Sequence, residues 1–149
     1  ERYLDLLEKV FVIFRLTGFS RNLRKEITKN NRYFFYDVGI RNAVVGMFNP
    51  LNLRDDTGKI WENYVISEFQ KHREYQRQSS SFYFWRTYDR KEIDLVEETA
   101  GKLSGYEIKW KKGRVSAPKD WYQNYPQASF KVINQGNYLN YILKRDDKR

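Results

Sequence analysis

Apolar residues recur along this chain with two periods, and the change from one to the other marks out its elements. Leu4, Leu7, Val10, Phe11 and Phe14 follow at three- and four-residue steps and predict a helix over 2–14. Val12 to Leu16 turns β-like and Thr17-Gly18 breaks it; Arg32 to Tyr36 is an aromatic strand. Between them lies a polar, basic stretch, SRNLRKEITKNN (20–31). Ile40 to Phe48 reads as a short helix stopped by Pro50, and 49–56 as a polar linker. A long helix follows from about Lys59 to Tyr75. Strands are predicted at Phe82 to Arg86, Ile93 to Glu97 and Tyr106 to Trp110, with a glycine hairpin at 99–102. A basic loop (111–119), a helix near Asp120 to Tyr125, a strand from Phe130 to Asn134 and an apolar stretch from Asn137 to Leu143 complete the chain; the tail KRDDKR is expected to fray.

The predicted fold class is mixed α/β: helix, three antiparallel strands, helix, strand over 51–149. Residues 1–50 read as a helix plus β-hairpin. Two pictures stay open for them: the remnant of a winged-helix domain with 17–31 as wing, or a plain hairpin packed on the main core.

Composition narrows the chemistry. The 149 residues contain no cysteine and one histidine, His72, expected at the surface. Disulfides, thiolate sites and histidine-rich zinc sites are therefore excluded, and any metal must be held by oxygen, which favours Mg²⁺, Mn²⁺ or Ca²⁺. A formal net charge of +9 with 17% aromatic residues suits a nucleic-acid surface. No apolar run reaches the ~20 residues a bilayer span needs. The start at Glu1 leads us to expect a fragment of a longer, soluble, cytoplasmic protein.

Glu107 and Lys109 stand two apart in a strand, so alternation puts them on one face and Tyr106, Ile108 and Trp110 on the other. Asp94, between Ile93 and Leu95, is expected to point away from both and to meet Glu107 across the hairpin. Neighbouring carboxylates repel unless a cation joins them, and an adjacent lysine can orient water or steady phosphate charge. At 100° per residue the long helix carries Glu62 and Glu68 inside its apolar arc, and either can be the carboxylate that faces the site. Arg86 and Arg90 flank the hairpin, and Lys111, Lys112, Arg114 and Lys119 form a basic segment; these are the candidate phosphate contacts. Tyr83, Trp85 and Tyr88 are expected mainly in the core.

The runs YFFYDVGIRNAVVG, GKIWENYVISEF, FYFWRTYDRKEIDLV, YEIKW and NYPQASFKVIN resemble the C-terminal module found on a group of prokaryotic AAA+ ATPases, over about residues 3–143. That module is a domain of unknown function similar to PD-(D/E)XK nucleases. The resemblance implies a restriction-endonuclease-like core. It makes Glu62 the helix glutamate, Asp94 the motif aspartate and Glu107 with Lys109 the (D/E)XK pair; Ile93 replaces the proline before the aspartate. On it, Glu62, Asp94 and Glu107 are metal ligands for Mg²⁺ or Mn²⁺, and nucleic acid, foremost DNA, is the partner. ATP is bound only by an upstream ATPase domain, since this chain has no GxxxxGKS/T. A homo-oligomer is compatible with it. The alternative is a non-catalytic nucleic-acid-binding or protein-docking module, because fold does not imply activity.

Overall fold

The computed structural model describes residues 2–21, 26, 30–77 and 79–143. Residues 22–25 and 27–29 of the expected wing and the tail 144–149 lie outside them, whereas Thr17 and Gly18, expected to break the first strand, continue it.

Five helices and six strands are described. In chain order they are α1 (Arg2–Lys9), β1 (Ile13–Gly18), β2 (Arg32–Phe35), α2 (Val38–Val45), α3 (Thr57–Tyr75), β3 (Ser80–Arg86), β4 (Glu92–Thr99), β5 (Lys102–Ile108), α4 (Lys119–Asn124), β6 (Ser129–Ile133) and α5 (Leu139–Ile142). The strands form one mixed sheet in the order β2-β1-β3-β4-β5-β6. The β1–β3 and β5–β6 pairs are parallel and the other three antiparallel.

Each face of the sheet has its own core. Under α3 and α5, Trp61, Val65, Ile66 and Phe69 meet Leu95, Tyr106, Ile108 and Ile133. Phe14, Leu16 and Phe34 of the β1–β2 hairpin join the same cluster. On the opposite face Trp85, Ile93, Val96 and Leu103 close around Trp121 and Tyr125. Burying such side chains contributes about 1.5–3 kcal/mol each, so the two clusters clamp the sheet from both sides. Gly105 permits the second one: a Cβ there would stand 3.3 Å from both Ile93 and Trp121.

The β1–β2 pair extends the sheet through β3 and shares the α3 core, so one sheet includes strands from both sides of position 50. The linker is tied down as well. The Arg54 guanidinium donates to the Met47 carbonyl (2.8 Å), to Asn42 (3.0 Å) and to both Asp56 oxygens (2.9 and 3.0 Å), and Asp56 also accepts from Arg41 (2.9 Å).

Several local expectations are corrected. The first helix ends at Lys9 rather than 14, because Phe11 turns to φ 56° and sends Ile13 and Phe14 into the sheet. Ile93 and Leu95 do not share a face. The β3–β4 register shifts between Tyr83↔Val96 and Trp85↔Ile93. This bulge gives β4 one extra residue, so Ile93 enters the Trp121 cluster and Leu95 the α3 cluster. The third of the predicted strands starts earlier and ends at Ile108, two residues before Trp110. His72 is half-buried, and its Nε2 is shielded with no hydrogen-bond partner among the described residues. In the β3 aromatic run Trp85 is fully buried, whereas Tyr88, in the following turn, is exposed.

Candidate functional site

The bulge in β4 shapes the site. The β4–β5 ladder starts at Leu95↔Tyr106, so the backbone N–H of Ile108 has no β4 carbonyl opposite it. The Asp94 carboxylate takes that place and accepts the N–H at 2.7 Å. The next N–H of the chain, that of Lys109, donates to the Ile133 carbonyl on β6 at 2.9 Å. Glu107 and Lys109 are thereby held beside Asp94, with Lys109 Nζ 2.6 Å from Glu107 Oε1.

The first turns of α3 complete the arrangement. Glu62 lies next to Asn63, a buried side chain bonded twice to the backbone of Phe35: its Oδ1 accepts the N–H (3.0 Å) and its Nδ2 donates to the carbonyl (2.7 Å). That pair fixes β2 against α3 and brings Arg32 in. The Arg32 guanidinium lies 4.6 Å from the centre of the Phe84 ring, 3.8 Å from Glu62 and in direct contact with Glu92. Glu62, Asp94, Glu107 and Lys109 all line one cleft of about 760 Å³, with Arg32, Arg41, Lys59, Arg90 and Glu92 among the other residues around it.

Burial and neighbouring charge together set the ionisation behaviour of the group. The Asp94 carboxyl is pushed up to about 7, first by burial, then by Glu62 and Glu107; the Ile108 N–H and Lys109 act against the shift. Burial also raises Glu62, against the pull of Arg32 and Lys109. Lys109 is raised in turn, chiefly by its hydrogen bond to Glu107.

The helix carboxylate of the cleft is Glu62. Glu68 pairs instead with Lys71 at 2.8 Å, one turn and more along α3. Of the predicted phosphate contacts, Arg90 lines the cleft. Its φ of 63° places an arginine where glycine or asparagine is the cheaper residue. Arg86 lies 3.9 Å from Glu92 and is not among the lining residues. Lys111, Lys112, Arg114 and Lys119 are exposed on the segment after β5, outside the cleft. Sequence reasoning missed Arg32, Arg41, Lys59 and Glu92 as cleft residues. Arg32 offers no local signal, since only the pairing of β1 with β3 carries its strand to the site. Asn63 carried no such signal either, since at 100° per residue it falls outside the apolar arc of α3, beside Lys59, Gln70 and Glu74.

Residues 57–145 match the family model described as Domain of unknown function (DUF4143). The chain belongs to this family. Residues 1–51 match a second model, Domain of unknown function (DUF8612). The break between the two matches falls in the polar linker 49–56. Among curated proteins the chain is similar to the uncharacterized proteins Rv2008c of Mycobacterium tuberculosis and Mb2031c of Mycobacterium bovis. Each is 29% identical over 119 residues, which cover 78% of this chain and 25% of the relative. The chain thus spans about a quarter of the length of the curated relatives it matches. No solved structure matches it.

Proposed function

We propose that the DUF4143 portion of the chain is a restriction-endonuclease-like domain whose cleft carries out metal-dependent hydrolysis of phosphodiester bonds in nucleic acid. The observation that carries this reading is the convergence of Glu62, Asp94, Glu107 and Lys109 on one cleft from three separate elements. All the candidate metal ligands are carboxylate oxygens, which suits Mg²⁺ or Mn²⁺. Among the described residues, no three His, Cys, Asp or Glu side chains are grouped closely enough to cage an ion. Mg²⁺, however, commonly needs only one or two carboxylates and retains its waters. Asp94 and Glu107 would hold it, with Glu62 ordering its water shell. When bound, such an ion supplies an activated water and neutralises charge on the phosphoryl group.

The side chains have separate tasks. The Ile108 N–H fixes the Asp94 carboxylate in place. Lys109 keeps a positive charge beside Glu107 and is available to steady the phosphate oxygens. Arg90 and Lys59, at the cleft wall, are suited to contact the flanking phosphates, and the exposed Lys111, Lys112, Arg114 and Lys119 extend the basic track along a strand. In the longer protein, an ATPase domain would stand upstream.

A second reading has its own observation. Lys109 pairs with Glu107, and Arg32 bridges Glu62 and Glu92, so the carboxylates already have internal cations. A docking module for nucleic acid without turnover fits that neutralised cleft. Cleavage of plasmid and oligonucleotide DNA and RNA with Mg²⁺, Mn²⁺ or EDTA separates the two. The nuclease reading expects cation-dependent cleavage, lost in Lys109→Ala by 10²–10³-fold or about 3–4 kcal/mol of barrier. No cleavage and no cation-dependent melting shift would leave the docking module.

A further inference from the structure

The end of the sheet remote from the cleft carries a second concavity, of about 480 Å³, between the last turns of α3, the β4–β5 hairpin, β6 and α5. Arg73 is eleven residues beyond Glu62 on the same helix, so the two sites lie roughly 16 Å apart along its axis. The sheet face under α3 is apolar through Leu95, Ile108 and Ile133. At this end the pattern breaks. Glu97 and Thr99 on β4, Lys102 and Ser104 on β5 and Lys131 on β6 line the hollow where further apolar side chains would continue the core.

Glu97 is 4% exposed. Its carboxylate lies 2.7 Å from Arg73 Nε and accepts the Tyr106 hydroxyl at 3.1 Å. A buried ion pair is a poor source of stability, because desolvation offsets most of its attraction. Its consequence here is to hold the Arg73 guanidinium at the wall of the hollow. Lys102 and Lys131 also line it, and neither has an ion-pair partner among the described residues. Lys131 sits over the Tyr141 ring, 5.6 Å from its centre. Among the described residues lining the hollow, three cations face one carboxylate, a surplus of two positive charges.

We propose that this hollow is a binding site for a phosphate monoester, held by Lys102 and Lys131 with the Thr99 and Ser104 hydroxyls, its organic part against the Tyr141 ring. The charge of a phosphate monoester, about −1.5 to −2 at neutral pH, matches the surplus. A simple carboxylate brings only half of it, and a metal cation would be repelled. The site stands independently of the chemistry proposed for the cleft. A monoester reaches it either as a free nucleotide or as the phosphorylated end of a strand.

The test is calorimetric titration of the chain at low salt with inorganic phosphate, adenosine monophosphate and a 5′-phosphorylated dinucleotide. Binding of either organic monoester supports the site and tells the two sources apart. Lys102→Gln and Lys131→Gln are expected to weaken it about tenfold each, the loss of one charge-assisted contact. Glu97→Gln is expected to tighten it severalfold by removing the one opposing charge, an effect that a purely structural role for Glu97 would not produce. Lys9→Gln, on α1, controls for overall charge. Absence of binding by all three probes overturns the proposal. So does binding that weakens in Lys109→Gln but not in Lys131→Gln, since the phosphate would then sit in the cleft.

Discussion

The Asp94 carboxylate accepts the backbone N–H of Ile108 at 2.7 Å, the bond that a strand carbonyl would make if β4 were regular. One contact therefore ends a ladder, orients a carboxylate and spaces Glu107 and Lys109 beside it. Since the same carboxylate is raised to about 7 by burial and by Glu62 and Glu107, it is held in place at a cost in charge.

That cost gives a pH dependence. An aspartate titrates near 4 in an unfolded chain and Asp94 near 7 in the fold. Between these values the folded chain keeps a proton that the unfolded chain has released, so stability falls as pH rises through the window. The penalty is absent below about pH 4 and complete above about 7. Asp94→Asn retains an oxygen for the Ile108 N–H and removes the charge. After allowance for partial exposure it should be more stable than wild type by about 2 kcal/mol at pH 8, with no difference near pH 4. Urea melts across that range decide the matter, and a difference that does not change with pH would contradict it.

Mg²⁺ should act on the same group. A cation that binds the ionised carboxylate stabilises the fold more at pH 8 than at pH 5. Thermal melts with Mg²⁺ and with EDTA at both values measure this, and the shift should disappear in Asp94→Asn.

Asn63→Ala removes both bonds between α3 and Phe35 and leaves a partly buried N–H and carbonyl unpaired. A loss of about 2–3 kcal/mol follows from the usual cost of such groups. Hydrogen exchange at the Phe35 amide should accelerate more than exchange in β4 or β5. Equal acceleration across the sheet would mean that the bonds do not specifically anchor β2.

Glu26 is 1% exposed and accepts from Trp85 Nε1 (2.7 Å), the Tyr125 hydroxyl (2.7 and 2.8 Å) and Asn124 Nδ2 (3.2 Å). Glu26→Ala strands these donors inside the second core and should cost about 3 kcal/mol. Glu26→Gln, which keeps part of the network, should cost less. Chemical denaturation of both variants gives the order.

Nucleic-acid affinity should fall steeply with salt, because each phosphate contact releases counterions. Replacing Lys111, Lys112 and Arg114 together by glutamine should lower the slope of log affinity against log salt by about 3. Fluorescence anisotropy with short DNA and RNA strands reads the slope, and undetectable binding at low salt would count against a nucleic-acid partner.

Much of the local structure was legible in the amino-acid order. The long helix was placed within two residues of its observed start and ended at Tyr75 as observed, because apolar spacing and the polar run of sequence that follows it are local facts. The hairpin of β4 and β5 was legible in Ala100-Gly101, whose φ values of 49° and 77° are those of a tight two-residue turn. The pairing of Glu107 with Lys109 followed from alternation alone. Three decisions needed the whole fold. The bulge that separates Ile93 from Leu95 lies where Trp85 packs on Trp121, a contact that no window of neighbours contains. The choice of Glu62 over Glu68 depends on which side of α3 meets the ends of β4 and β5. The entry of Arg32 depends on a parallel pairing between strands some 65 residues apart. Sequence by itself determined the periodic elements and the chemical types present, since those depend on near neighbours. Tertiary structure alone decided which charged groups share a cleft, because that depends on contacts between segments distant in the chain.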